Sequence, residues 1–261
     1  NQQSQEVTMS YARFQRIESF PKETRDYNIE KTARWATDGF NVGDFVASTG
    51  AGSSGGSGTA TYAAEFSKQN QVAGVATLAL PSAAESGANA RLHDASSATL
   101  STGLFEMDLL CRTKLSLGGT ANDNFYPRVG FFVTTVTGNA EGSYTANGIY
   151  FERMYNLTTS SNETTWFAVY TQGWNGSTGR RIRINTGATV TDWNTLGIWV
   201  SEDGRNAVWT VNDRTVLSVQ DANITVALRA GAESYTAGTL SAAFNNKIDY
   251  MQLRVFARRP A

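Results

Sequence analysis

A single cysteine, Cys111, stands among the 261 residues. This excludes an intrachain disulfide and any metal site built from several thiolates. His93 is the lone histidine, so a serine or cysteine triad would depend on that one ring, and nothing around "RLHDAS" suggests the geometry; it reads as a generic loop or edge histidine. Charge is sparse at 17% and balanced, with 22 Lys and Arg against 23 Asp and Glu. A net charge of -1 lacks the clustered positive charge with which proteins release counterions from nucleic acids or anionic membranes. The nearest basic cluster, Arg254, Arg258 and Arg259, reads as a solvated tail or a protein-docking end. No run of about 18 apolar residues is present, and the first residues lack the charged-then-apolar pattern of a signal peptide. The expectation is no nucleic-acid partner and no membrane insertion.

What the chain does have is 41% hydrophobic residues and 24 glycines, a composition that suits many strands joined by turns. Short β-like runs recur at Val75–Leu80, Leu104–Leu110, Arg128–Val133, Gly148–Arg153, Trp166–Tyr170, Arg181–Asn185, Thr215–Val219 and Lys247–Phe256. Between them lies the hairpin "TDWNTLGIWVSEDGRNAVWTVNDRTV", in which Leu196–Val200 and Asn206–Val211 flank an Asp203-Gly204 turn. Phe105, Met107 and Leu109 alternate with Glu106, Asp108 and Leu110, the pattern of a strand with one buried face. No long helical period competes. The fold class expected is all-β: two antiparallel sheets packed as a jelly-roll sandwich.

Residues 1–35 are polar and mixed in charge, and read as an N-terminal arm of the kind that is either loosely ordered or becomes ordered against a neighbouring subunit. Residues 36–261 form the jelly-roll domain, with "STGAGSSGGSGTAT", residues 48–61, as a flexible Gly/Ser loop.

The order of "LSTGLFEMDLLCRTKLSL", "RVGFFVT", "NGIYFER", "TTWFAVYTQG", "NTGATVTDWNTLGIWVSEDGRNAVWTVNDRTV" and "KIDYMQLRVF" resembles the concanavalin A-like, laminin-G-like jelly rolls of tailed-bacteriophage structural and fibre proteins. The resemblance spans roughly residues 72–256. It implies a jelly roll displayed on a virion surface, as capsid decoration, head fibre or tail fibre, with other virion proteins and further copies of itself as partners and host glycans as possible contacts. The same fold hosts lectins and glycanases, so a secreted or cell-surface lectin-like module is the alternative and a degenerate laminarinase-like glycosidase the third reading.

For chemistry, "FEMDLLC" offers Glu106 and Asp108 at the first two positions of the laminarinase-like carboxylate motif. Leu110 or Cys111 stands where the acid/base glutamate belongs, so the carboxylate pair is incomplete and no catalytic residue is assigned. For binding, a sugar ring needs an aromatic face beside hydrogen-bonding groups. Trp174, Tyr144, Trp199 and Trp209 are the candidates, with Trp174 in a turn-rich segment as the better surface residue; for Trp199 and Trp209 a place in the core, covered by the N-terminal arm or a loop, is the favoured reading. No cofactor is required. Concanavalin-like sandwiches often hold Ca²⁺, and Asn122, Asp123 and Asn124 form an oxygen-rich loop that offers such ligands, as ordinary turns also do. Four Asn-x-Ser/Thr sequons begin at Asn156, Asn162, Asn175 and Asn223.

Overall fold

The computed structural model describes residues 27–36, 39–41, 45–50, 58–63, 75–84, 87–94, 100–101, 106–117, 125–133, 147–156, 161–174, 178–223 and 227–257. They build two antiparallel sheets. The first, sheet A, contains β1 (Tyr27–Ala36), β2 (Gly39–Asn41), β4 (Thr59–Ala63), β5 (Val75–Leu80), β8 (Glu106–Leu117), β15 (Asn194–Val200), β16 (Asn206–Val211), β17 (Arg214–Gln220) and β19 (Phe244–Ala257). Its order runs β17-β16-β15-β8-β19-β1-β2, with β5 on the first half of β19 and β4 beside β5. Sheet B contains β3 (Phe45–Gly50), β6 (Asn89–Asp94), β7 (Leu100–Ser101), β9 (Phe125–Phe132), β10 (Gly148–Glu152), β13 (Thr165–Gln172), β14 (Arg180–Thr189) and β18 (Ala227–Thr236). They run β14-β13-β10-β9-β18-β6-β3, with β7 on the end of β18. A two-stranded hairpin, β11 (Tyr155–Asn156) and β12 (Ser161–Asn162), stands apart.

Alternation sorts the core. On β8, Met107, Leu109, Cys111 and Leu115 are buried between the sheets, and Ile198 and Val200 of β15 and Trp209 and Val211 of β16 join them. Sheet B answers with Val129, Phe131, Ile149, Phe151, Trp166, Ala168 and Tyr170. The hairpin of β15 and β16 forms as its turn chemistry requires. Gly204 takes a φ of 67°, and Asp203 Oδ1 accepts the Arg205 amide at 3.0 Å. The chain reverses a second time at Asn212 and Asp213, whose φ values of 48° and 65° are those of a paired left-handed turn.

Two assigned boundaries differ from the sequence reading. Of the arm, residues 1–26 lie outside the described residues, but Tyr27–Arg34 pair with Ala257–Tyr250 as an internal ladder of sheet A. This segment is a strand because Tyr27, Ile29, Ala33 and Trp35 alternate with polar residues, a period interrupted by Lys31. Of the Gly/Ser loop 48–61, Ser48–Gly50 end β3 and Thr59–Thr61 begin β4; residues 51–57 lie outside the described residues. The strand β18 escaped the propensity reading because "ALRAGAESYT" is rich in Ala and Gly. Gly231 is a packing requirement: a Cβ there would lie 2.4 Å from the Leu92 carbonyl oxygen.

Candidate binding face

Sheet B is buried on both sides along its middle. Every residue of β9 and of β10 is buried. The odd-numbered side chains of β9 and β10 fill the core between the sheets, whereas the even-numbered ones, together with odd-numbered residues of β6, β13 and β18, form a second face. That face carries a charged row. Arg91 of β6 is the cross-strand partner of Glu233 on β18, Glu233 of Arg128 on β9, Arg128 of Glu152 on β10, and Glu152 of Phe167 on β13.

The signs alternate, and each neighbour is engaged. Arg91 Nε donates to Glu233 Oε2 at 3.2 Å, and Arg128 Nη1 donates to Glu233 Oε1 at 3.2 Å. Arg128 Nε stands 3.8 Å from Glu152 Oε2, an ion contact too long for a hydrogen bond. Glu152 Oε1 accepts Arg181 Nη2 at 3.2 Å and Arg183 Nε at 2.9 Å, and Arg183 also pairs with Glu163. The Arg183 guanidinium lies 3.6 Å from the Phe167 ring centroid, closing the row with a stacked cation.

Arg128, Glu233 and Glu152 have no more than 1% of their side-chain surface exposed. Burial alone would lower the Arg128 pKa; the surrounding Tyr150, Glu233 and Glu152 outweigh it and raise it. The same contest at Arg183 is won by Glu163 and Glu152. Aromatic clusters flank the row, Tyr126 with Tyr235 on one side and Phe132 edge-on to Tyr150 on the other.

Trp174 sits where this face meets the turn between β13 and β14. Gly173, at φ 58°, donates its amide to Asn147 Oδ1 at 2.9 Å, and Gly179 has φ 95°. A Cβ on Gly179 would lie 2.3 Å from the Gly173 carbonyl oxygen, so the two legs of the turn touch backbone to backbone and only glycine fits. The half-buried Trp174 is held at this pinch, with the Arg181 guanidinium 5.9 Å from its ring centroid. Through Arg181 the indole is continuous with Glu152 and the whole charged row.

The other sequence candidates fall elsewhere. Trp209 is wholly buried in the core and donates Nε1 to the Tyr150 carbonyl at 3.2 Å, so it has no ring face to offer a sugar. Its alternation with the polar Thr210 already placed it on one face of the hairpin; the second sheet decided which face was inside. Trp199 is half-buried on the far side of sheet A, its Nε1 donating to Glu106 Oε1 at 3.0 Å. Trp174 and Trp199 therefore belong to different sheets and form no common site. Tyr144 and the Asn122–Asn124 loop lie outside the described residues. His93 is half-buried on β6, opposite Gly231.

The carboxylates of "FEMDLLC" are likewise placed on sheet A, away from the charged row. Asp108 pairs with Arg254, Glu106 holds Trp199, Leu110 occupies the same face beyond them, and Cys111 turns into the core. No third acid joins this strand. Among the described residues no group of three or more His, Cys, Asp and Glu is placed to hold a metal, and no helix is long and apolar enough to cross a membrane.

Neither a protein-family model nor a curated protein matches the sequence. Solved structures do match in shape. A protein of unknown function from Shewanella oneidensis MR-1 superposes with a TM-score of 0.53 at 8% identity over 90% of both chains. An endo-1,3-β-glucanase from Streptomyces sioyaensis gives 0.52 at 11% over 90% of this chain and 96% of that one. The carbohydrate recognition domain of Emp47p gives 0.51 at 8% over 92% and 99%. The fold is the lectin and glucanase jelly roll. At these identities the likeness is one of fold, and the concanavalin A-like half of the sequence resemblance is what it bears out.

Sequence reasoning missed the charged row altogether. Arg91 and Glu233 are 142 residues apart, and Arg128 and Glu233 105; no linear spacing links residues that meet only through strand order.

Proposed function

We propose that this chain is a non-catalytic, glycan-contacting jelly-roll subunit displayed on a virion surface, where it assembles with further copies of itself and with other virion proteins. The observation that carries the glycan contact is Trp174: a half-buried indole pinned at a glycine pinch, beside the Arg181 guanidinium and at the rim of a rigid polar face. An indole face takes the C–H side of a sugar while a neighbouring guanidinium takes its hydroxyls. The carbohydrate recognition domain among the structural neighbours supports this use of the fold. The virion setting rests on the sequence resemblance.

A glycanase is disfavoured by the placement of the carboxylates. Asp108 is engaged by Arg254, and the row on sheet B holds each of its carboxylates between guanidiniums, whereas a general acid needs a carboxyl free to carry and release a proton. The test is a glycan array run on the intact chain with and without Ca²⁺, followed by titration of the best ligand. Saturable binding that Trp174→Ala abolishes while the far-ultraviolet circular dichroism is unchanged is the expected result. Absence of binding by the folded protein overturns the glycan reading, and release of reducing sugar from a β-1,3-glucan overturns the non-catalytic one. Stoichiometric recovery of the chain in purified particles tests the virion setting.

A further inference from the structure

Arg181 and Arg183 alternate along β14 and share the side of sheet B that carries the charged row. Each guanidinium is anchored through two of its three nitrogens. Arg181 Nη2 donates to Glu152 Oε1 at 3.2 Å and to Met154 Sδ at 3.3 Å, and its Nε is buried. Arg183 gives Nε to the same Glu152 oxygen and Nη2 to Glu163 Oε2, and lies over the Phe167 ring. Because both bind Glu152 Oε1, the two guanidiniums stand side by side. The nitrogen left over in each is Nη1, which among the described residues is neither buried nor bonded. The side chains keep 20% and 21% of their surface exposed.

These open donors are already fixed in place. An arginine on an open surface gives up rotamer freedom when it grips a ligand, whereas here Glu152 and Glu163 hold both guanidiniums beforehand. The anchoring does not use up the positive charge. In the ion pairs of this face, among the described residues, the four guanidiniums of Arg91, Arg128, Arg181 and Arg183 share the three carboxylates of Glu233, Glu152 and Glu163. Glu152 and Glu163 are more deeply buried than the arginines they hold, so the positive ends are turned to solvent. Beside them lies the Trp174 indole, 5.9 Å from the Arg181 guanidinium.

We infer that the Trp174 site takes an acidic saccharide: the sugar ring stacks on the indole while its carboxylate or sulfate accepts from Nη1 of Arg181 and of Arg183. This rests on the glycan reading of Trp174 and adds the class of sugar to it. Hydrogen bonds to an anionic oxygen are about twice as strong as neutral ones, so the acid group sets the preference among sugars. Two fixed donors suit one compact anionic substituent, whereas a nucleic-acid backbone needs a track of cations to neutralise successive phosphates.

The experiment titrates the intact chain with matched pairs, sialyllactose against lactose and an oligogalacturonate against its neutral methyl ester, and with a heparin-derived oligosaccharide and a short single-stranded DNA. At least one acidic saccharide binds about tenfold or more tightly than the neutral probes, and the heparin arm tells sulfate from carboxylate. Binding weakens with salt and is lost in Trp174→Ala. Arg181→Lys and Arg183→Lys keep a cation for the buried Glu152 but have a single nitrogen, so the fold and melting temperature are retained while the preference for the acid falls severalfold in each and disappears in the double variant. The inference is overturned if no acidic saccharide binds more tightly than the neutral ones, if the preference survives the double Lys variant, or if the DNA binds as tightly. Neutral sugars bound through Trp174 with no preference for the acid would overturn this inference and leave the glycan reading standing; a folded chain that binds no saccharide overturns both.

Discussion

The indole Nε1 of Trp209, on sheet A, donates a hydrogen bond to the main-chain carbonyl of Tyr150, on sheet B, at 3.2 Å. One side chain thereby spans the core and ties the two layers in a single register. Trp209→Phe removes this bond and part of the ring, and Trp209→Ala leaves a cavity. Costs of about 1–3 and about 3–5 kcal/mol are expected, read from urea unfolding midpoints at constant m-value. Equal, small losses in both variants would show that the indole is not a tie between the sheets.

Arg128 is the hub of the charged row, shared by Glu233 and Glu152 with its own side chain fully buried. Arg128→Met strands two buried carboxylates, although Arg91, Arg181 and Arg183 still face them. A destabilisation of about 3 kcal/mol is expected, with part of it recovered when Glu233→Gln is added, because the second change removes one of the stranded charges. A double-mutant cycle with no coupling would place the stability of this face in its aromatic clusters instead.

Cys111 is buried in the core, and burial, reinforced by the negative charge of Asp249, pushes its thiol pKa far above the ordinary range. Since the thiolate is the reactive species, the folded chain should resist a thiol reagent such as DTNB. Labelling should appear only with unfolding, at a rate that follows the urea transition. Rapid stoichiometric labelling under native conditions is the outcome incompatible with this packing.

Asp203, in the hairpin turn, accepts hydrogen bonds from the Ser201 hydroxyl and the Arg205 amide, which lower its carboxyl pKa. A pKa lower in the folded than in the unfolded chain adds stability that is present above the unfolded value, about 3.9, and lost as pH falls through the folded one. The melting temperature of Asp203→Ala should therefore lie below that of the parent at neutral pH, with the gap narrowing as pH drops below about 4. A gap independent of pH would assign the loss to turn geometry alone.

Much of sheet A could be read directly from the chain. The run Val75–Leu80 is β5 residue for residue, Asn206–Val211 is β16, and Asp203-Gly204 marks the turn before it. Alternation and turn chemistry are local properties, written within a few residues of where they act. β18 was illegible for the converse reason: its Gly231 answers to the backbone of β6 pressing against it, a neighbour more than a hundred residues away, and its Ala230 and Ala232 to the core between the sheets.

The same division separates the sites. That aromatic and charged residues would be displayed on a β-sandwich followed from composition and period. Which tryptophan became core, and which stayed at a rim, waited on the second sheet: Trp209 and Trp199 sit on adjacent strands of one hairpin, yet face opposite ways and meet entirely different partners. The charged row is the extreme case. Five residues from five strands have no shared spacing, because cross-strand neighbours are chosen by sheet order and register, and these are settled only when the whole core closes.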